Sequence, residues 1–336
     1  MRLQAEAVNR LRPAYEGRRV LVTGGAGFIG GHLCDALVSL GATVTVLDDL
    51  SNSTLEHLAG LVELEPERVR FTQGSVLDDD ALIEAADGAS IIFHLAALGS
   101  VPRSIDYPQR AWSVNATGTI RVLEAARTVR ASRIVFASSS SVYGEDPRQP
   151  RIETMTPAPL SPYAASKLAG ETALSVWARC YGLETVSLRY FNVFGPRQPA
   201  DSAYAAVVPV FAKKMLLGEA PVIFGDGSAS RDFTCVDDAV LGTLLAGSSS
   251  SVGKGEVINL GTGRSTSVRD LASIIAKAAG VPHIVPTFEP ARKGDVPHAL
   301  ADTSLAKRLL GYEPAWRLED AVEEAVRWYR AALARI

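Results

Sequence analysis

The chain has 336 residues, 47% of them hydrophobic, with 34 Lys and Arg against 37 Asp and Glu. At roughly 150 residues per domain this is material for about two folded domains, and it excludes a disordered chain or a coiled coil as the starting point. A net charge of -3 supplies no basic field for nucleic acid or anionic lipid, so a small ligand is the expected partner, with no nucleic acid and no membrane.

Residues 1–17 place Leu3, Ala7 and Leu11 at helical spacing and hold no secretory apolar core, which predicts a short leader helix packed outside the main sheet. From Arg19 the pattern is RVLVTG, a GAGFIG turn, an apolar-periodic helix through Ile29, Leu33, Ala36 and Leu37, then ATVTVLDD, one parallel crossover unit. Short apolar runs follow at VRFTQG, SIIFHLAA, RIVFASSS and ETVSLRY, separated by helical segments at 78–86, 110–130 and 163–181. This alternation predicts an α/β fold, a Rossmann-type doubly wound parallel sheet covered on both faces. After Tyr190 the pattern breaks into FNVFGPRQPADSAY, GDGSASRD and PARKGD, although VINLGTG reads as one more sheet strand. The expected organisation is therefore a first domain over 1–190 plus 233–263, and a smaller, discontinuous mixed α/β domain over 191–232 plus 264–336.

Gly24, Gly27 and Gly30 stand between a strand and a helix, where a backbone free of side chains can approach a pyrophosphate at the helix N-terminus. Asp48 ends the next strand 24 residues after Gly24, placed for adenosine ribose hydroxyls and repelling a 2′-phosphate, so NAD is favoured over NADP. Tyr163 and Lys167 form YAASK, an i, i+4 pair on one helix face. An ammonium and an oxidised nicotinamide both favour phenolate, making the phenol a usable base. Ser138 to Ser141 lie at the carboxyl end of a predicted strand, the edge where open α/β sheets bind ligands.

TGGAGFIG, HLAA, SSSSVYG, SPYAASK and LRYFNVFGPRQ together resemble the extended short-chain dehydrogenase/reductases over nearly the whole chain. Within them, ALGSVPRSI, AYAAVVP, GDGSASRDF and KGDVPHALAD resemble the UDP-hexose 4-epimerases, particularly the bacterial branch acting on UDP-N-acetylglucosamine and UDP-N-acetylgalactosamine. The resemblance implies Tyr163 as the base, Lys167 as the holder of the nicotinamide ribose, and Ser139, four residues before Tyr143, as partner of the sugar 4-hydroxyl. It implies Asn115 as a support of the cofactor site and Ala96, Ala97 and Leu98 as its wall. Gly24, Gly27, Phe28, Ile29, Gly30, Asp48, Asn52, Ser75, Val76, Leu95 and Tyr190 complete the cofactor set. Ser75 stands where the family commonly carries the aspartate that contacts adenine. Long helices at 103–130 and 161–181 would pair two chains into a homodimer.

Arg231 and Arg292 lie in glycine-bearing loops, and their guanidinium forks suit a diphosphate. By resemblance Asn192 also meets the diphosphate, Ala206 and Val207 the uracil, and Asp295 its ribose. Ala299 stands where the family carries a large residue in enzymes limited to unacetylated sugars. A methyl there leaves room for an acetamide that Ser100 and Ser140 would orient, with UDP-glucose and UDP-galactose kept open as further substrates. Dehydratases of the superfamily place acids at the two positions after Ser139, where this chain has Ser140 and Ser141. The expected activity is an NAD-dependent 4-epimerase with tightly bound, recycled NAD; the alternatives are a nucleotide-sugar dehydratase or reductase, and a non-catalytic NAD sensor. Cys34, Cys180 and Cys235 form no CxxC pair and the five histidines no metal-binding spacing, so no metal site is expected and a reducing cytoplasm fits. His94, inside an apolar strand, is read as a satisfied core residue.

Overall fold

The computed structural model describes residues 5–200, 205–291 and 296–334. Seven strands form one sheet: β1 (Arg19–Thr23), β2 (Thr43–Asp48), β3 (Val69–Gln73), β4 (Ile91–His94), β5 (Arg133–Ser139), β6 (Glu184–Tyr190) and β7 (Lys254–Leu260). All pair in parallel, in the order β7-β6-β5-β4-β1-β2-β3. The α/β doubly wound fold is thus the one expected. The order reverses between β1 and β4, and a crevice opens there beyond the strands' carboxyl ends.

Strand periodicity divides the side chains between two apolar layers. Val135, Ala137, Val186, Leu188 and Tyr190 pack on the face covered by helices Phe28–Ser39 and Val236–Ser248. Ile134 and Phe136 pack on the opposite face, against Leu82, Val122, Leu123 and Leu174 from helices Asp79–Ala86, Gly118–Thr128 and Pro162–Tyr181. The leader helix, Ala5–Tyr15, does more than lie outside the sheet. Its Leu11 and Tyr15 are fully buried in the first layer, and the Tyr15 phenol donates to the Leu244 carbonyl at 2.5 Å.

The long helix expected over 103–130 is broken. Val101–Asp106 and Pro108–Trp112 are separated at Tyr107, whose extended φ of -129° precedes a proline. Residues Ser113–Thr117 then form a π turn before Gly118–Thr128, which aims Asn115 inward. A separate apolar cluster joins helices Val207–Leu216, Val268–Ala279 and Leu318–Leu333 through Phe211, Ile275 and Val322. Ala306, Leu310 and Tyr312, from between those helices in the chain, pack instead with the first sheet layer. Ser230–Arg231 pairs with Thr266–Ser267 on one side and His298–Ala299 on the other. Among the described residues no helix is long and apolar enough to cross a membrane.

Candidate active site

The glycine turn after β1 is shaped by close approach. Gly24 has φ +74°, and a Cβ there would lie 2.6 Å from the Ala96 nitrogen. A Cβ on Gly30 would lie 2.2 Å from the Gly24 carbonyl oxygen, so helix Phe28–Ser39 can start here only against a bare α-carbon. At Gly27 a Cβ would meet only that same oxygen, at 3.2 Å, and otherwise occupy the cleft. The chain keeps this space for a ligand that approaches the backbone.

That cleft is walled by Gly24, Gly27, Asp48, Asn52, Ser75, Val76, Leu95, Ala96, Ala97 and Leu98. The Asp48 carboxylate accepts the Ala26 and Leu50 N–H groups at 3.0 and 2.9 Å and the Ser53 hydroxyl at 3.0 Å, which fixes it at the end of β2. Phe28 and Ile29 are half-buried and pack against the sheet layer, with the Phe28 ring edge-on to His32, while Gly30 is buried beneath the turn. Asn115 lies behind the wall, its amide oxygen accepting the Leu98 N–H. The Tyr190 side chain packs in the core. It shares a face with Val186 and Leu188, and its phenol hydrogen-bonds Thr243 at 2.8 Å, so a cofactor contact from this residue would have to come from its backbone.

Among the cleft residues that escaped the sequence reading are two cations, Arg103 and Arg110. Arg103 reaches across to the Asn52 side-chain oxygen, 51 residues away in the chain. Its neighbour Ser104 is fully buried, donates to the Val101 carbonyl at 2.6 Å and accepts the Tyr163 backbone N–H at 3.0 Å. The only local signal was the SVPRS run itself.

Ser139, Tyr163 and Lys167 come together at the carboxyl end of β5. Ser161 caps helix Pro162–Tyr181 by accepting the Ala164 N–H, which puts Tyr163 in the first turn and Lys167 one turn on. Burial pushes the Tyr163 phenol up, and its hydrogen bond with Ser139 opposes that shift. Lys167 is buried, its ammonium donating to the Ala137 carbonyl at 2.7 Å and lying 4.8 Å from the Phe136 ring centre. Burial lowers it to about 7, against the pull of the Glu171 carboxylate. The Ser141 hydroxyl and N–H both donate to Ser139 Oγ, at 2.9 and 3.2 Å, and Ser140 sits half-buried between them. His94 is the satisfied core residue expected. It bonds Thr23 at 2.7 Å and Thr119 at 3.0 Å, and burial holds it neutral, lowered to about 3.

Of the substrate-end candidates, Arg231 and Ala299 are direct partners across two short strands. Arg231 also donates to the Ser230 and Pro297 carbonyls at 2.9 and 3.1 Å. Asn192 is exposed with φ +23°, just beyond β6, and Ala206 caps helix Val207–Leu216, with Ala206 exposed and Val207 half-buried. Ser100 Oγ caps helix Val101–Asp106 by accepting the Arg103 N–H at 3.3 Å. Arg292 and Asp295 lie outside the described residues.

The NAD dependent epimerase/dehydratase family matches residues 20–261. This chain belongs to that family. It is 40% identical over 314 residues to a UDP-glucose 4-epimerase of Mycolicibacterium smegmatis, covering 93% of this chain and 98% of the relative. The UDP-N-acetylglucosamine 4-epimerase of Methanobrevibacter ruminantium, solved with UDP-N-acetylmuramic acid, superposes with a TM-score of 0.89 at 37% identity over 96% of this chain and 100% of that one. The UDP-glucose 4-epimerase of Thermus thermophilus, solved with NAD, gives 0.83 at 34% identity over 94% and 99%. The chain is therefore an enzyme of the nucleotide-sugar epimerase/dehydratase class, its cofactor is NAD, and these three relatives are UDP-sugar 4-epimerases.

Proposed function

We propose that this enzyme interconverts UDP-N-acetylglucosamine and UDP-N-acetylgalactosamine at C4, accepting UDP-glucose and UDP-galactose as smaller substrates. The observation that carries epimerisation is the set of groups around Tyr163: Ser139, Ser140 and Ser141 supply hydroxyls where elimination of a hydroxyl would need an acid. In this reading Tyr163 takes the 4-hydroxyl proton and returns it on the other face, Ser139 aligns that hydroxyl, and Lys167 supports phenolate. Gly24, Gly27, Asp48, Asn52, Ser75, Val76 and Leu95 to Ala97 would hold NAD, which would supply hydride acceptance and return with no net redox.

A sugar that must turn over needs an anchor elsewhere. Arg231, with Arg292 and Asn192, is assigned to the diphosphate, Ala206 and Val207 to the uracil, and Asp295 to its ribose. These residues belong to the proposed second domain, 191–232 plus 264–336. Ala299, opposite Arg231, leaves the room an acetamide requires. Exposed Ile105, Trp112, Val176 and Tyr181 on the helices flanking the site, with Tyr107 at the break between two of them, support a homodimer, and three unpaired cysteines fit a reducing cytoplasm.

Proton NMR on purified protein, given UDP-N-acetylglucosamine or UDP-glucose without added NAD, tests the reading. Appearance of the C4 epimer with its changed H4 coupling is expected. A released 4-keto product would move the assignment to a dehydratase or reductase.

A further inference from the structure

Three consecutive residues at the end of β5 are each tied to a different residue of helix Pro162–Tyr181. The Ala137 carbonyl accepts Lys167 Nζ at 2.7 Å, the Ser138 hydroxyl donates to Glu171 Oε1, and Ser139 faces the Tyr163 phenol and opposes the rise that burial gives it. Tyr163, Lys167 and Glu171 are successive turns of one helix face. The first and third ties hold the residues read above as reactive, whereas the middle one reaches no cleft. Ser138 and Glu171 are 2% and 4% exposed. Glu171 is in turn gripped by Arg189 of β6, with Nε on Oε1 at 2.9 Å and a second nitrogen on Oε2 at 2.7 Å. Arg189 lies over the Tyr143 ring at 4.5 Å. A buried, forked ion pair with a hydroxyl added is costly to assemble and adds little stability over an apolar replacement. Its position between the two reactive ties gives it another use.

We infer that Ser138, Glu171 and Arg189 form a positioning lock that sets the rotation of helix Pro162–Tyr181 on β5, and thereby holds Tyr163 and Lys167 in reacting register. The close approach it fixes is visible at Gly170, where a Cβ would lie 2.6 Å from the Phe136 ring. With the lock released, that helix can rotate on its bare glycine contact and carry the phenol off Ser139. The same carboxylate supplies the negative charge that opposes the lowering of Lys167 by burial. The charged and titratable groups facing Lys167 are Tyr163 and Glu171 on its own helix, His94 on β4 and, through Glu171, Arg189 on β6. A looser Glu171 leaves more neutral Lys167, and the phenol then needs a higher pH to ionise.

The inference rests on reading Tyr163 as the base, and its test keeps the two apart. Ser138→Ala, Ser138→Thr and Tyr163→Phe are prepared with NAD bound. Tyr163 ionisation is read as the ultraviolet tyrosinate difference between each protein and the same protein carrying Tyr163→Phe, which needs no substrate. The kcat, KM and pH profile for the converted UDP-sugar are read beside it. Ser138→Ala is expected to move Tyr163 ionisation and the rising limb of the profile to higher pH. It is also expected to lower kcat on the order of tenfold with KM little changed, the size of one hydrogen bond to a charged group. Ser138→Thr, which keeps the hydroxyl, is expected to restore both. If Ser138→Ala does not fold, Ser138→Cys, of similar volume and with only a weak donor, replaces it. Wild-type ionisation and kcat in Ser138→Ala, beside an inactive Tyr163→Phe, overturn the lock and leave the base. An active Tyr163→Phe overturns the base itself.

Discussion

The Asn115 side-chain oxygen accepts the Leu98 backbone N–H at 2.7 Å. On its other side the amide nitrogen donates to Ser166 Oγ at 3.0 Å, and Ser166 donates to the Tyr163 carbonyl at 2.7 Å. One buried amide thus joins the cofactor wall to the helix that carries Tyr163 and Lys167. The π turn at Ser113–Thr117 is what aims it there. Asn115→Ala leaves the Leu98 donor and the Ser166 hydroxyl without this partner in a dry site, at about 1–3 kcal/mol each. The expected outcome is a clear fall in Tm with loss of bound NAD during purification, read by calorimetry and by NAD content. Retention of both would remove Asn115 from the cofactor support.

Glycine positions give a paired prediction. Gly30→Ala places a carbon against the Gly24 carbonyl in the phosphate turn, where backbone must give way, and about 1–3 kcal/mol of destabilisation is expected. Gly60, exposed in helix Glu56–Leu64 with nothing within 4 Å of a Cβ, is the control. There alanine is expected to stabilise by up to about 1 kcal/mol. Urea unfolding of both variants, with bound NAD measured alongside, checks the contrast.

How much of this was legible in sequence follows from where each signal is stored. The turn at Gly24–Gly30, Asp48 and the Tyr163–Lys167 pair are short-range patterns whose geometry is fixed by one strand or one helix, so they read directly. Tyr190 did not, although alternation along β6 groups it with Val186 and Leu188 on the face away from Tyr163's helix. The family motif places this residue at the cofactor, whereas period two turns its side chain into the core and leaves its backbone for that contact. Arg103 on Asn52 and Ser138 on Glu171 are side-chain meetings between distant segments, with no local periodicity to announce them. The pairing of Arg231 with Ala299 is hidden for a related reason: two-residue strands are too short to show any period.

Lys167 makes stability depend on pH in a defined direction. In NAD-free protein its folded value of about 7 lies below the ordinary 10.5, so between these the unfolded chain holds a proton the folded one has released. Stability then rises with pH across that window, by at most about 1.4 kcal/mol per unit. Of the groups facing it, His94 titrates near 3 and Tyr163 is pushed above its ordinary 10, while Glu171 is ion-paired to Arg189. Lys167→Met is therefore expected to lose the slope. The measurement is the difference in urea midpoint between wild type and Lys167→Met from about pH 7 to about pH 10; a constant difference would mean that the buried amine keeps its proton.

The Arg103 bridge to Asn52 joins two residues that line the cleft, and its neighbour Ser104 holds the Tyr163 backbone. Arg103→Ala removes a cation and a bridge from the cleft lining while leaving the Ser104 tie in place. NAD dissociation, followed by exchange with labelled NAD, is expected to accelerate on the order of tenfold, with Tm of the NAD-free protein unchanged. An unaltered exchange rate would show that the bridge opens when NAD is bound.

Ala299 decides the substrate reading. It lies half-buried in a two-residue strand beside Arg231, and its carbonyl accepts the Asp232 N–H at 2.9 Å, so its backbone is fixed on the assigned anchor. Ala299→Tyr leaves that backbone bond intact and fills the space in front of it. If the acetamide lies there, kcat/KM for UDP-N-acetylglucosamine falls on the order of a hundredfold relative to UDP-glucose, a discrimination of about 2.7 kcal/mol produced by steric exclusion. Both substrates falling together would place the side chain against the shared UDP. Neither falling would take it out of the pocket, and the preference for an N-acetylated sugar would then have to rest on Ser100 and Ser140.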